Sequence, residues 1–143
     1  RETSLRAVSD LFDLREALET WVVRRLARTI SAVQLERLDL NLREQEAAVK
    51  DDDLETTTVL DAEFHTLLCS FADNLEIERI MVRLRDQLHR LILKVLHTHH
   101  ERLRPGYLEH RGIAAAIRRH DGDLAARRVV DHLRYGRDIL TRR

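Results

Sequence analysis

The sequence predicts an all-α protein, an antiparallel bundle of about six helices. Apolar residues recur with a 3.6-residue period in one segment after another. Helix breakers are scarce, with 4 Gly and 1 Pro in 143 residues, while Leu, Ala, Arg and Glu abound. The short connections that remain carry helix-capping residues.

Arg1 to Val8 is polar and weakly patterned and reads as a linker or lead-in, which leaves 9–143 as one helical domain. Ser9 or Asp10 is expected to cap a first helix ending near Thr29, with Leu11, Leu14, Leu18, Trp21, Val22 and Leu26 as its apolar positions. Arg15 falls among them. A guanidinium on that face needs an anionic partner. Ser31 and Gln34 form a capping box for a second helix carrying Leu35, Leu38, Leu42 and Val49. The run Lys50-Asp51-Asp52-Asp53 reads as a solvated turn, with Asp52 and Glu55 as a further capping box. A third helix spans about Leu54 to Ala72. Its Thr56-Thr57-Thr58 stretch is a poor helix former, so packing must hold it. Asp73-Asn74 starts a long fourth helix, roughly Leu75 to Leu103, with Ile77, Ile80, Met81, Leu84, Leu88, Leu91, Val95 and Leu96 as its core stripe. Pro105 suits the first turn of a fifth helix with Leu108, Ile113, Ala114 and Ile117 inward. Gly122 is expected to end it and Asp123 to cap the sixth, which carries Leu124, Ala125, Val129, Leu133, Ile139 and Leu140.

Composition narrows the function classes. Lys plus Arg and Asp plus Glu both number 25, so the chain has no overall basic field for nucleic acid. One cysteine, Cys69, excludes an internal disulfide and fits a reducing compartment. No apolar run approaches membrane-spanning length, and no stretch reads as a signal peptide. The chain begins without Met, so it reads as a piece of a longer protein.

The chemistry concentrates on inward faces. Asp61 and His65 are one helical turn apart and project side by side among Leu60, Phe64, Leu67, Leu68 and Phe71. Alone, such a pair is a buried hydrogen-bonded couple or half of a metal site. His110 lies on the inward face of the fifth helix, at i relative to Ile113, Ala114 and Ile117. His132 lies in the apolar stripe of the sixth, three residues after Val129. Three inward imidazoles and a carboxylate carry a heavy desolvation cost unless they find one another. Together they are a borderline ligand set suited to Zn, Ni, Mn or Fe, with Zn favoured. Both readings stay open on pattern alone.

Other groupings carry less. His97, His99, His100 and Glu101 sit in polar company at a helix end and suit its dipole. Cys69 points about 80° away from Asp61 around the helix and reads as a small core residue. The pairs Arg118-Arg119 and Arg127-Arg128 read as solvated faces, with no interleaved aromatics. There is no nucleophile elbow, no phosphate-binding glycine loop and no His-Glu-x-x-His run.

The segment Phe12-Asp13-Leu14-Arg15-Glu16-Ala17-Leu18-Glu19 resembles the opening helix of the FCD ligand-binding domain, the C-terminal effector domain of FadR-subgroup GntR transcription regulators. Asp61-Ala62-Glu63-Phe64-His65 is similar to its D-x-x-F-H motif, and Asp73-Asn74 to its next helix start. Glu109-His110-Arg111, Ala116-Ile117 and Gly122-Asp123 match a further segment, and Asp131-His132-Leu133 its terminal His motif. The turn at His120-Asp121-Gly122 is one residue longer, and Trp21-Val22-Val23-Arg24 replaces the family's usual small residues. The resemblance implies metal ligation by Asp61, His65, His110 and His132, with one or two coordination positions left open. Arg15 on an otherwise apolar face points to a small carboxylate effector, with Arg15 and then Asn74 or Arg83 as the candidate contacts. The resemblance further implies a preceding winged helix-turn-helix domain as the only DNA-binding part, a homodimer, a cytoplasmic location and a non-enzymatic role. The alternatives are a metal-dependent hydrolase, which lacks a well-placed general base beside the cluster, and a purely structural dimerisation bundle.

Overall fold

In a computed structural model describing residues 4–142, the chain forms six α-helices with no strand among the described residues. They are α1 (Leu5–Thr29), α2 (Ala32–Lys50), α3 (Leu54–Phe71), α4 (Leu75–Thr98), α5 (Leu103–Arg118) and α6 (Gly122–Thr141), with a 3-10 turn at His100–Arg102 before α5. No helix is long and apolar enough to cross a membrane among these residues. Of the expected lead-in, Arg1, Glu2 and Thr3 lie outside the described residues.

The helix starts follow from side-chain caps, partly at other residues than expected. Ser4, not Ser9 or Asp10, caps α1 by accepting from the Ala7 amide, so Leu5 to Val8 are helical. The Ser31–Gln34 capping box is present in full. Asp53, not Asp52, caps α3. Asp52 instead takes φ 50° and turns the chain. Asn74 caps α4. At the last connection, His120 adopts the left-handed conformation (φ 60°) that Gly122 was expected to supply, and Asp121 caps α6, which starts at Gly122. His120 compensates by bonding the Ala27 carbonyl of α1 at 2.9 Å.

Neighbouring helices run antiparallel. The α1–α6 pair matches Arg24 with Asp123, Glu16 with Arg134, and Phe12 with Gly136, so one number rises as the other falls. The α2–α5 pair matches Asp39 with Arg118, Gln45 with His110, and Glu46 with Tyr107. The α5–α6 pair matches Gly112 with Arg128 and His110 with His132.

The core contains Val22, Val23, Leu26, Leu38, Phe64, Met81, Leu88, Ile113, Ile117 and Leu133. The buried stripe of α1 is Val8, Phe12, Arg15, Glu19, Val22 and Leu26. It is rotated from the expected one: Leu14 and Trp21 are each 40% exposed. The reason is that Arg15 and Glu19 occupy two stripe positions and bond each other, so apolar character alone misplaces the face. Leu108 is likewise exposed rather than inward. Packing does cover most of the Thr run: Thr57 and Thr58 are buried, while Thr56 is exposed.

Candidate metal centre

Asp61, His65, His110 and His132 meet in the bundle, each offering one ligand atom, and these atoms lie within 4.8 Å of one another. Asp61 and His65 come from α3, His110 from α5 and His132 from α6. His65 and His110 are buried, and the Asp61 side chain is 18% exposed. His110 Nε2 is 3.1 Å from Asp61 Oδ1 and 3.2 Å from His132 Nε2, while His65 Nε2 is 3.5 Å from Asp61 Oδ1.

Hydrogen bonding behind the rings fixes which nitrogen of each carries the proton. The Leu60 carbonyl only accepts, so Asn41 Nδ2 donates to it (3.1 Å). Asn41 Oδ1 therefore accepts from Gln45 Nε2 (2.6 Å). Gln45 Oε1 then faces His110 Nδ1 at 2.8 Å, and that nitrogen donates. His132 Nδ1 donates to Glu109 Oε1 at 2.5 Å, and His65 Nδ1 donates to Glu19 Oε1. All three outer nitrogens are thus occupied as donors, and the three Nε2 lone pairs point inward with Asp61.

The interior of the cluster consequently holds acceptors facing acceptors. His65 Nε2 is buried with no partner. Protonation is an unfavourable remedy, since burial pushes His110 down to about 3 despite Asp61, and lowers His132 as well. Burial alone would raise the Asp61 carboxyl, but the Arg85 guanidinium beside it holds it well below the usual carboxylate range. A cation would satisfy three imidazole lone pairs and a carboxylate at this separation, and the donor set could hold a divalent transition metal. The outer partners Glu19, Gln45 and Glu109 are the ring-orienting contacts that metal-binding histidines use.

Beside the cluster is a cavity of about 110 Å³ lined in part by Arg15, Thr57, Asp61, Arg85, His110 and His132. Arg15 Nε donates to Glu19 Oε2 at 2.8 Å, supplying the anionic partner that its position demands. Arg85 Nη2 donates to Asp61 Oδ2. Four buried polar atoms on this lining have no partner: Arg15 Nη2, Arg85 Nε, Arg85 Nη1 and Thr57 Oγ1. Two guanidiniums and a hydroxyl with spare hydrogen-bonding capacity suit an anion.

Of the candidate effector contacts, the structure brings Arg15 to the cavity but not Asn74 or Arg83. Asn74 Oδ1 is committed to the Ile77 amide as the α4 cap. Arg83 is exposed, since two residues place it about 200° around α4 from Arg85. Arg85 is buried beside Met81, Leu84 and Leu88. Sequence reading also missed Glu19, Gln45 and Asn41. The one signal that pointed to Glu19 was the demand of Arg15 for a partner, answered at i+4. Glu109, next to His110 in sequence, is bound by His132 and by both terminal nitrogens of Arg102 at 3.1 Å. Those bonds outweigh burial and bring its carboxyl down to about 2.

The FCD domain profile matches residues 10–135. The HTH-type transcriptional repressor RspR of Escherichia coli (strain K12) is 30% identical over 124 residues, covering 84% of this chain and 52% of that protein. The HTH-type transcriptional regulator YdfH of Shigella flexneri has the same identity and coverage. The chain thus spans about half the length of the curated relatives it matches. A solved structure, Streptococcus agalactiae GntR, superposes with a TM-score of 0.80 at 26% identity, covering 92% of this chain and 58% of that one.

Proposed function

The chain belongs to the FCD domain family of GntR-type regulators, and from that premise we propose that it is a metal-dependent sensor of a small carboxylate. The observation that carries this reading is the set of inward acceptors at Asp61, His65, His110 and His132, which has no donor of its own. These four side chains would hold a divalent transition metal, with zinc favoured because histidine and carboxylate ligands suit it. Bound there, the metal supplies a Lewis-acidic position at which an anionic oxygen is held.

The protein's own groups do the rest. Arg85 orients Asp61 and, with Arg15 and Thr57, offers spare hydrogen bonds to the same carboxylate. Glu19 links this anion clamp to His65, because one of its oxygens accepts from Arg15 and the other from the imidazole. An effector that uses both the open metal position and the guanidiniums binds one arrangement of the bundle better than another. It shifts the population only by that difference in affinity.

Matching regulators that extend well beyond this segment support a preceding winged helix-turn-helix domain as the DNA-reading part. We assign the regulator to the cytoplasm as a homodimer on the same basis. Glu109 and Glu63 are both occupied by neighbours, which favours sensing over hydrolysis. The test is a thermal melt of zinc-loaded protein with and without acetate. Wild type should be stabilised by zinc and further by acetate, and His65→Ala by neither. Equal stabilisation of both proteins would refute the reading.

A further inference from the structure

The unpartnered buried donors of the cavity lie at one end only. Three helices run away from the metal-ligand cluster, and each carries apolar lining at its far end. On α4, Arg85 is followed by Ile92, Val95 and Leu96, the last about 16 Å along the helix axis. On α5, the lining passes from His110 back to Leu103, about 10 Å away. On α6, it passes from His132 to Ile139 and Leu140, about two turns along.

The polar side chains along this stretch each have a partner already. Arg102 places both terminal nitrogens on Glu109 and lies 3.9 Å above the Tyr135 ring. The Tyr107 hydroxyl donates to Glu46 at 3.2 Å. Gln45 is used on both sides, by Asn41 and His110. The buried donors left over are those of Arg15, Arg85 and Thr57. All three belong to the cluster end: Arg85 bonds Asp61, Arg15 shares Glu19 with His65, and Thr57 lies one turn before Asp61.

We propose that the effector is a short carboxylic acid with an unhydroxylated hydrocarbon tail, its carboxylate at the Arg15–Arg85–Thr57 end and its tail along Ile92, Val95, Leu96, Leu103, Ile139 and Leu140. The inference rests on the carboxylate reading above and adds what the rest of the molecule must be. A hydroxyl carried into the apolar end loses its water and finds no partner. A methylene carried there gains, at about threefold to fourfold in affinity for each one fully buried.

The experiment is calorimetric titration of the zinc-loaded chain with acetate, butyrate, hexanoate and gluconate. Hexanoate and gluconate both have six carbons and differ in hydroxylation. Affinity should rise from acetate to the longer acids by at least about tenfold, and gluconate should bind at least about tenfold more weakly than the better of them. Leu96→Asn, at a half-buried lining position outside the packed core, should remove most of the gain over acetate and leave acetate itself unchanged. Gluconate binding as well as the longer unhydroxylated acids, no gain over acetate, or a Leu96→Asn variant with wild-type preferences would each overturn the proposal while leaving carboxylate sensing intact. Binding of zinc with no acid bound would overturn the carboxylate reading itself.

Discussion

Replacing Glu19 by Gln separates two jobs that one buried carboxylate performs. One oxygen accepts from Arg15 Nε at 2.8 Å and the other from His65 Nδ1. A carboxylate accepts on both sides, whereas a carboxamide accepts on one and donates on the other. Gln fills the same space, so no cavity term arises. A hydrogen bond to a charged group contributes about 1.5–3 kcal/mol, and a buried guanidinium deprived of its counter-ion costs about 3–5 kcal/mol. Because Gln can still accept from one donor, the metal-free variant should lose about 2–4 kcal/mol, or on the order of 10 °C in Tm for a chain of this size. If the amide oxygen stays with Arg15, its NH2 group faces His65 Nδ1. That imidazole must then carry its proton on Nε2, the ligand atom. Zinc affinity should fall about 10- to 100-fold. Melting curves of metal-free protein at pH 7.5 and competition with a chelating dye measure the two effects separately. Lower Tm with unchanged zinc affinity would refute the tautomer argument. Unchanged Tm would refute the ion pair as a stabilising contact.

Acid should destabilise the metal-free chain in two stages. In the unfolded chain His titrates near 6.5, whereas burial holds His110 at about 3 and lowers His132 in the folded state. The unfolded state therefore takes up protons first, and stability present above pH of about 6.5 is lost as pH falls below it. Glu109, brought down to about 2, adds a second loss as pH falls from the ordinary carboxylate range toward that value. Urea melts across pH 8 to 3 read this directly, and a flat profile above pH 5 would contradict the buried neutral imidazoles. Arg85→Met keeps the length of the stem but removes two of the unpartnered donors and the support of Asp61. It should weaken acetate binding to zinc-loaded protein by at least about tenfold, and unchanged acetate affinity by calorimetry would remove Arg85 from the clamp.

The six-helix bundle was legible because helical periodicity, scarce breakers and capping residues all pointed the same way. The four cluster residues were legible because a polar residue on an apolar stripe stands out, and four of them on three helices converge. What hid the rest was the same rule applied to paired residues. Arg15 and Glu19 both occupy core positions, and reading the stripe through Leu14 and Trp21 turned that part of the face toward solvent. Arg85 was within reach of the same rule, since it lies four residues after Met81 and three before Leu88 on the buried stripe of α4, whereas Arg83 falls off that stripe and is exposed. Asn41 and Gln45 lie at core positions of α2, but uncharged amides leave no sequence trace of the relay they form. The turn at His120 was misread because Gly122 is the usual left-handed residue, whereas here His120 is held by the Ala27 carbonyl.

The most direct test of the metal centre is the zinc stoichiometry of the chain after chelator stripping, dialysis and reloading, measured by elemental analysis beside His110→Ala. Convergent acceptors at Asp61, His65, His110 and His132 predict one tightly held zinc per wild-type chain and near-complete loss in the variant. A wild-type chain that takes up no stoichiometric zinc, or a variant that retains it equally, would contradict the account.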